Sequence, residues 1–176
     1  GDWEENRAFE FVSNLSKRII KNGNNLVSGF GLGIGSCIVS GALDEIYKGT
    51  DTVEQRMILR PFPQDVPDGV DRKAMWTRYR QDMLSNVGVA IFIFGNKFKD
   101  GKTVLAGGMI EEFEIALQNN VVPIPIGITG YTSGVLWSKV MNSFDKYIPD
   151  GSLKESYESL GDADKTDEEI LDIVIS

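Results

Sequence analysis

At 176 residues, 41% apolar and 25% charged, the chain is long enough for one domain with a substantial core, and its composition is that of an ordinary globular protein. A net charge of −8 without a long basic run argues against a nucleic-acid partner, whereas a small anion held in a local pocket stays compatible. Histidine is absent, which excludes the usual nucleophile triads and most catalytic zinc sites, and no apolar run is long enough to span a bilayer.

The expectation is therefore a cytoplasmic protein with neither a membrane nor a metal to bind. The single cysteine, Cys37, lies among isoleucine and valine and reads as a small core residue in a reducing compartment. Gly1-Asp2-Trp3 leads directly into a helical pattern without an initiator methionine. One domain over residues 1–176, excised from a longer protein, is expected.

In chain order, Trp3 to Lys21 carries apolar residues at Phe9, Val12, Leu15, Ile19 and Ile20 and ends in basic residues, a helix stopped by Asn22-Gly23-Asn24. Leu26-Val27 is a short buried strand that runs into Ser28-Gly29-Phe30-Gly31-Leu32-Gly33-Ile34-Gly35, with glycine at every second position. Gly33 to Tyr47 follows as a helix. Arg56 to Phe62 is a second strand closed by Pro61 and Pro63, Asp65 to Gly69 a turn, and Val70 to Ser85 an amphipathic helix with Met75, Trp76, Tyr79 and Met83. Val87 to Gly95 is nearly all apolar and reads as a central strand covered on both faces. Gly107 to Gln118 is a helix, and Val121 to Ile128 a strand whose two prolines favour a sheet edge. A helix near Gly134 to Phe144 and an acidic tail follow. Lys165 to Ile175 closes the chain as a helix, opened by the capping signal Thr166-Asp167-Glu168-Glu169.

This alternation is that of a doubly wound, Rossmann-like α/β fold with a mostly parallel sheet flanked by helices. Ligands of such sheets lie beyond the carboxyl ends of the strands. Three loops then qualify as site walls: Ser28–Gly35, Arg60–Gln64 and Gly95–Gly108. In the first, glycines let backbone N–H groups approach a phosphate at the positive end of a helix. It is not a Walker loop, since no lysine follows its last glycine. It is not the dinucleotide fingerprint either: counted from Gly31, the third glycine falls on Ser36, and no acid closes the second strand.

The second feature is Leu105 to Glu114, which enters a helix through Gly107-Gly108 with an acidic first turn. Acids there compensate the helix dipole. Ile110, Phe113 and Leu117 mark its core face, Glu111, Glu114 and Gln118 a stripe turned away. Glu112 faces the loop end, where a carboxylate can accept hydrogen bonds from ribose hydroxyls. Lys97 follows the apolar strand, and either Arg78 or Arg80 could hold a diphosphate in its planar fork; spacing does not choose between them. Phe30 and Phe62 are placed to stack on a base or to pack.

The glycine loop, the strand ending in Gly95-Asn96-Lys97, and Ala106-Gly107-Gly108-Met109-Ile110-Glu111-Glu112-Phe113-Glu114 together resemble the SLOG superfamily, and within it the nucleotide-sensing domains of Thoeris anti-phage effectors. The resemblance covers about Asn24 to Ile128. It implies binding of a cyclic ADP-ribose isomer, a second messenger made by a TIR-domain partner, which activates an attached sirtuin-like domain that degrades NAD. It implies ligand contacts at Arg80, Lys97, Glu112 and Gly107, beside Ser28 to Gly33, and so prefers Arg80 to Arg78. It further implies homodimerisation through this domain, higher assembly of the full effector, no cofactor, and no catalytic residue in this part. The alternative in the superfamily is a LOG-type nucleoside monophosphate phosphoribohydrolase with a Pro-Gly-Gly-x-Gly-Thr-x-x-Glu motif. The chain keeps the glycine pair and has Glu114 in the glutamate register, but it has Ala106, Ile110 and Glu111 in place of the proline, third glycine and threonine.

Overall fold

The computed structural model describes residues 4–31, 33–63 and 65–176. Trp3, Leu32 and Gln64, each included in an expectation above, lie outside the described residues. The architecture is the expected α/β one, with parallel strand pairs flanked by helices. The chain forms two compact units, residues 4–79 with 175–176, and residues 80–174.

In the first unit, α1 (Glu5–Lys21) is capped by the Glu4 carboxylate, which accepts from the N–H groups of Asn6 and Arg7. It ends at Asn22, and Gly23 takes φ 84°. β1 (Leu26–Ser28) pairs in parallel with β2 (Met57–Leu59), with Leu26 opposite Met57 and Ser28 opposite Leu59. Between them lie α2 (Gly35–Ile46) and the short α3 (Val53–Arg56). The expected strand from Arg56 is thus shorter. Thr52 and Gln55 form a cap, Thr52 N–H donating to Gln55 Oε1 at 2.9 Å, which turns Val53–Arg56 into a helical turn. Arg56 then ties α1 to that turn, its Nη2 donating to Ile20 O at 2.8 Å and Asn24 O at 3.0 Å and its Nη1 paired with Asp51. The core holds Ile20, Ala42, Ile46 and Met57, with Leu26, Val39, Leu43 and Val53 against it. α1 and α2 touch backbone to backbone at Gly41, where a Cβ would lie 2.0 Å from Ser13 O.

α4 (Arg72–Leu84) buries only Arg80 and Leu84. The expected amphipathic stripe of Met75, Trp76, Tyr79 and Met83 is half-buried instead. Trp76 Nε1 donates to Pro63 O at 3.1 Å and the Tyr79 hydroxyl to Pro61 O at 3.0 Å, so these aromatics hold the segment after β2.

In the second unit, β3 (Val89–Phe92) pairs in parallel with β6 (Val122–Pro125), Val89 opposite Val122 and Phe92 opposite Pro125. Among the described residues β3 bonds no other strand, in contrast to the central strand its apolar run predicts. Gly95–Gly108 is not an open loop: β4 (Asn96–Lys99) and β5 (Lys102–Leu105) form an antiparallel hairpin. Its turn is Asp100-Gly101, with φ 52° and 75°, the left-handed pair a tight hairpin demands. α5 (Gly107–Gln118) has the expected bounds. The last expected strand stops at Pro125, and a 3₁₀ turn (Gly127–Thr129) leads into α6 (Tyr131–Met141), α7 (Phe144–Tyr147), a second 3₁₀ turn (Gly151–Leu153) and α8 (Lys154–Ser159). α9 (Asp167–Ile175) opens with the expected box, Thr166 N–H donating to Glu169 Oε2 at 2.7 Å and Glu169 N–H to Thr166 Oγ1 at 3.3 Å.

The core of this unit is largely aliphatic, with Ile126, Leu136, Val140, Ile170 and Leu171 fully buried, and aromatic rings pack into it. Phe113 meets Phe92 at 5.7 Å and Tyr147 at 6.0 Å between ring centroids, and Phe144 meets Tyr157 at 5.4 Å. The buried Tyr157 hydroxyl donates to Pro123 O at 2.9 Å, and burial pushes its pKa up to about 12.

Candidate functional site

The second unit gathers four of the expected ligand residues at the carboxyl end of β3. Arg80, on the last turns of α4, is buried with 8% of its surface exposed, whereas Arg78 points to solvent. Its guanidinium grips α5 from outside. Nε donates to Glu112 Oε1 at 3.2 Å and Nη1 to Glu111 Oε2 at 2.9 Å. Nη2 lies over the opening turn, where a Cβ on Gly108 would come within 2.5 Å of it. A side chain at position 108 would have to push the guanidinium aside.

Glu111 and Glu112 do not lie in the first turn, as the sequence suggested. α5 begins at Gly107, so both sit one turn further in and reach back because helical side chains lean towards the N-terminus. Burial raises the Glu112 carboxyl above its ordinary pKa of 4.5. The Arg80 charge and hydrogen bond oppose this, Glu111 adds to it, and the Lys97 charge acts against it. Lys97 is exposed on β4, carried there by the hairpin. Gly107 is exposed, and a Cβ on it would meet no heavy atom within 4 Å. Two cations, two carboxylates and a helix N-terminus can hold an anionic, hydroxyl-bearing ligand.

A hydroxyl set unforeseen in the sequence shapes the strand end. Phe94 and Gly95 both take left-handed conformations, φ 54° and 85°, which for a phenylalanine is strained. Thr129 Oγ1 accepts from Phe94 N–H at 2.8 Å, and Ser133 N–H donates to Phe94 O at 2.9 Å. Ser133 Oγ donates to Phe92 O at 2.7 Å. Thr132 Oγ1 accepts from Ala106 N–H at 2.9 Å and donates to Gly95 O. All three hydroxyl residues are buried. Glycine suits position 95, since φ there is 85° and a Cβ would also lie 2.9 Å from Thr132 Cβ. The signal available in sequence was Thr129-Gly130-Tyr131-Thr132-Ser133-Gly134, hydroxyls between glycines just after a strand.

A family model, STALD, the Sir2- and TIR-associating SLOG family, matches residues 1–176. The chain belongs to the STALD family. It is 42% identical over 174 residues to the NAD(+) hydrolase ThsA of Cytobacillus dafuensis, covering 98% of this chain and 35% of that protein. It is 40% identical over 176 residues to ThsA of Bacillus cereus, with 98% and 36% covered, and 38% identical over 179 residues to ThsA of Enterococcus faecium, again with 98% and 36% covered. The chain thus spans about a third of the length of the curated relatives it matches.

The remaining expected residues of this STALD chain belong to the first unit. Ser28 is buried, its Oγ accepting from Phe30 N–H at 3.1 Å, and its carbonyl accepts from Arg60 N–H at 2.8 Å. Among the described residues of the loop, Phe30 (φ 49°) and Gly33 (φ 95°) take left-handed positions. Gly31 O accepts from Gly35 N–H at 2.9 Å, and a Cβ on Gly35 would press on Phe30 at 3.0 Å. Two of the alternating glycines therefore serve the turn itself, while Gly31 has open space where a Cβ would be. Gly29 is half-buried, and Leu32 lies outside the described residues. Ile34 caps α2 without a side-chain bond to its first N–H groups. Phe62 meets Tyr79 at 4.9 Å and Trp76 at 6.3 Å, a packing role that occupies part of its ring. Among the described residues no cluster of three His, Cys, Asp or Glu could hold a metal, and no helix is long and apolar enough to cross a membrane.

Proposed function

We propose that this chain is a ligand-sensing domain that binds a cyclic ADP-ribose isomer and thereby controls an attached NAD-degrading domain in anti-phage defence. The observation that carries the reading is Arg80, buried, aimed at the opening of α5 and flanked by Glu112, with the Lys97 charge felt at the same carboxylate. In the bound complex Arg80 and Lys97 hold the diphosphate, Glu112 reads a ribose hydroxyl, and Gly107 offers backbone to a phosphate. The relatives support the wider setting: they carry the name NAD(+) hydrolase, and this chain matches about a third of each. Hydrolysis then belongs to the remainder of such a protein, and the domain works in the cytoplasm, as a homodimer, without a cofactor.

Glu114, the glutamate that a phosphoribohydrolase would use, is paired with Lys139 at 2.5 Å on the surface, which supports sensing over hydrolysis. The test is calorimetry with NAD, ADP-ribose, cyclic ADP-ribose and its glycocyclic isomers. A cyclic isomer binds the wild type, and Lys97→Ala or Arg80→Ala weakens it about ten- to a hundredfold, one charge-assisted contact of about 1.5–3 kcal/mol. Equal affinity in both variants, or no binding of any cyclic isomer, refutes the reading.

A further inference from the structure

The buried Arg80 bonds two carboxylates at once. Nε already meets Glu112, the more enclosed carboxylate with 24% of its side chain exposed. Nη1 meets a second carboxylate, Glu111, whose side chain is 31% exposed. Nη1 is a terminal nitrogen of the fork, the kind that takes a phosphate oxygen in bidentate recognition. The formal charges of Arg80, Lys97, Glu111 and Glu112 sum to zero, so a phosphate entering here meets a neutral cluster rather than a cationic one.

We infer that Glu111 sets the specificity of this pocket: its carboxylate occupies Arg80 Nη1 as an internal stand-in for phosphate. A phosphate group with no other attachment does not displace it. A larger ligand that also engages Lys97 and Glu112 does, because its further contacts offset the loss of the Glu111 ion pair. The inference rests on the reading of this pocket as a phosphate site, and it adds the reason that site passes over the abundant simple phosphates of a cell. Glu111 itself touches Arg80 and acts through it.

Glu111→Gln is the informative variant. The amide oxygen still accepts from Nη1, so Arg80 keeps its place, while the cluster gains one positive charge. Calorimetry with inorganic pyrophosphate at fixed pH and low salt should show Glu111→Gln binding roughly two- to fivefold more tightly than wild type, the worth of one partly exposed charge contact. The gain should shrink as salt is raised. Glu111→Asp keeps the charge and should bind pyrophosphate as wild type does. Unchanged or weaker pyrophosphate binding in Glu111→Gln, including no binding by either protein, overturns the inference, and so does an equal gain in Glu111→Asp. These outcomes are separate from the calorimetry with cyclic isomers, whose failure strikes the proposed function instead. A loss of fold shows as a lowered urea midpoint, and Glu111→Asp then carries the comparison alone: a gain in pyrophosphate affinity by that variant overturns the inference, and wild-type affinity supports it.

Discussion

Adding one methyl group to each glycine of the pair that opens α5 separates two roles those residues could have. A Cβ on Gly108 would lie 2.5 Å from Arg80 Nη2 and 3.4 Å from its Cζ, whereas one on Gly107 meets nothing within 4 Å. Restoring ordinary van der Waals contact at Gly108 needs Nη2 to retreat by roughly 0.9 Å. That displacement forfeits at least one of the bonds to Glu111 and Glu112, worth about 1.5–2 kcal/mol when the carboxylates are partly exposed. Both alanines gain up to about 1 kcal/mol in helix propensity. Gly107→Ala should therefore be as stable as wild type or slightly better. Gly108→Ala should be less stable by about 1 kcal/mol, and about 1.5–2 kcal/mol below Gly107→Ala. Urea unfolding followed by tryptophan fluorescence, with equal m-values, measures the difference. A Gly108→Ala midpoint at or above that of Gly107→Ala would show that the guanidinium yields without cost and does not clamp α5.

Three further substitutions probe the scaffold and the pocket. Thr132→Val keeps the shape but removes the hydroxyl bonded to Ala106 N–H and Gly95 O. It should cost about 1–2 kcal/mol by chemical denaturation, and wild-type stability would mean the hydroxyl set is incidental. Gly161→Ala would place a Cβ 2.3 Å from Trp137 Cζ2, against an indole pinned by its 2.7 Å bond to Tyr157 O. Such overpacking should cost about 1–3 kcal/mol and alter the near-ultraviolet circular dichroism, and an unchanged melt and spectrum contradict it. The Glu112 carboxyl is raised above 4.5 by burial, so the folded chain binds its proton more tightly than the unfolded chain. Its contribution to stability is then fully present below 4.5 and lost as pH rises through the folded-state value. Relative to Glu112→Gln, wild type should lose stability on raising pH across that window, and a relative gain would mean that the Arg80 pairing outweighs burial.

Much of the candidate site's framework is readable in the sequence because its parts obey local rules. The bounds of α5 follow from the Gly107-Gly108 entry, and α9 from its capping box, since such signals act within a turn and need no partner. Arg80 is different: helix spacing alone leaves it level with Arg78, and only the family resemblance favours it. What decides between them physically is that Arg80 is turned inward onto α5, a contact between segments some thirty residues apart. The same holds for Thr129, Thr132 and Ser133, whose hydroxyls bond a strand that sequence distance hides. The β4–β5 hairpin has a legible signal of its own. Asp100-Gly101 between alternating residues is a strong turn marker, outweighed by the expectation that loops follow the strands of such a sheet. The extended reading of Arg56–Phe62 holds over Met57–Leu59, and it is short at its start because the cap from Thr52 to Gln55 draws Arg56 into a helical turn.

The hydroxyl set at the end of β3 satisfies the strand's last polar groups from within the chain. Phe92 O, Phe94 N–H, Phe94 O and Gly95 O are each satisfied by the chain's own groups. A ligand at this end of the strand finds those backbone atoms taken, and beside the opening of α5 it meets side chains: an arginine, a lysine and two glutamates. Each can be altered by a single codon while the strand terminus keeps its bonds. The strand terminus is thereby held independently of those four side chains, so replacing one of them leaves the bonds that end β3 in place.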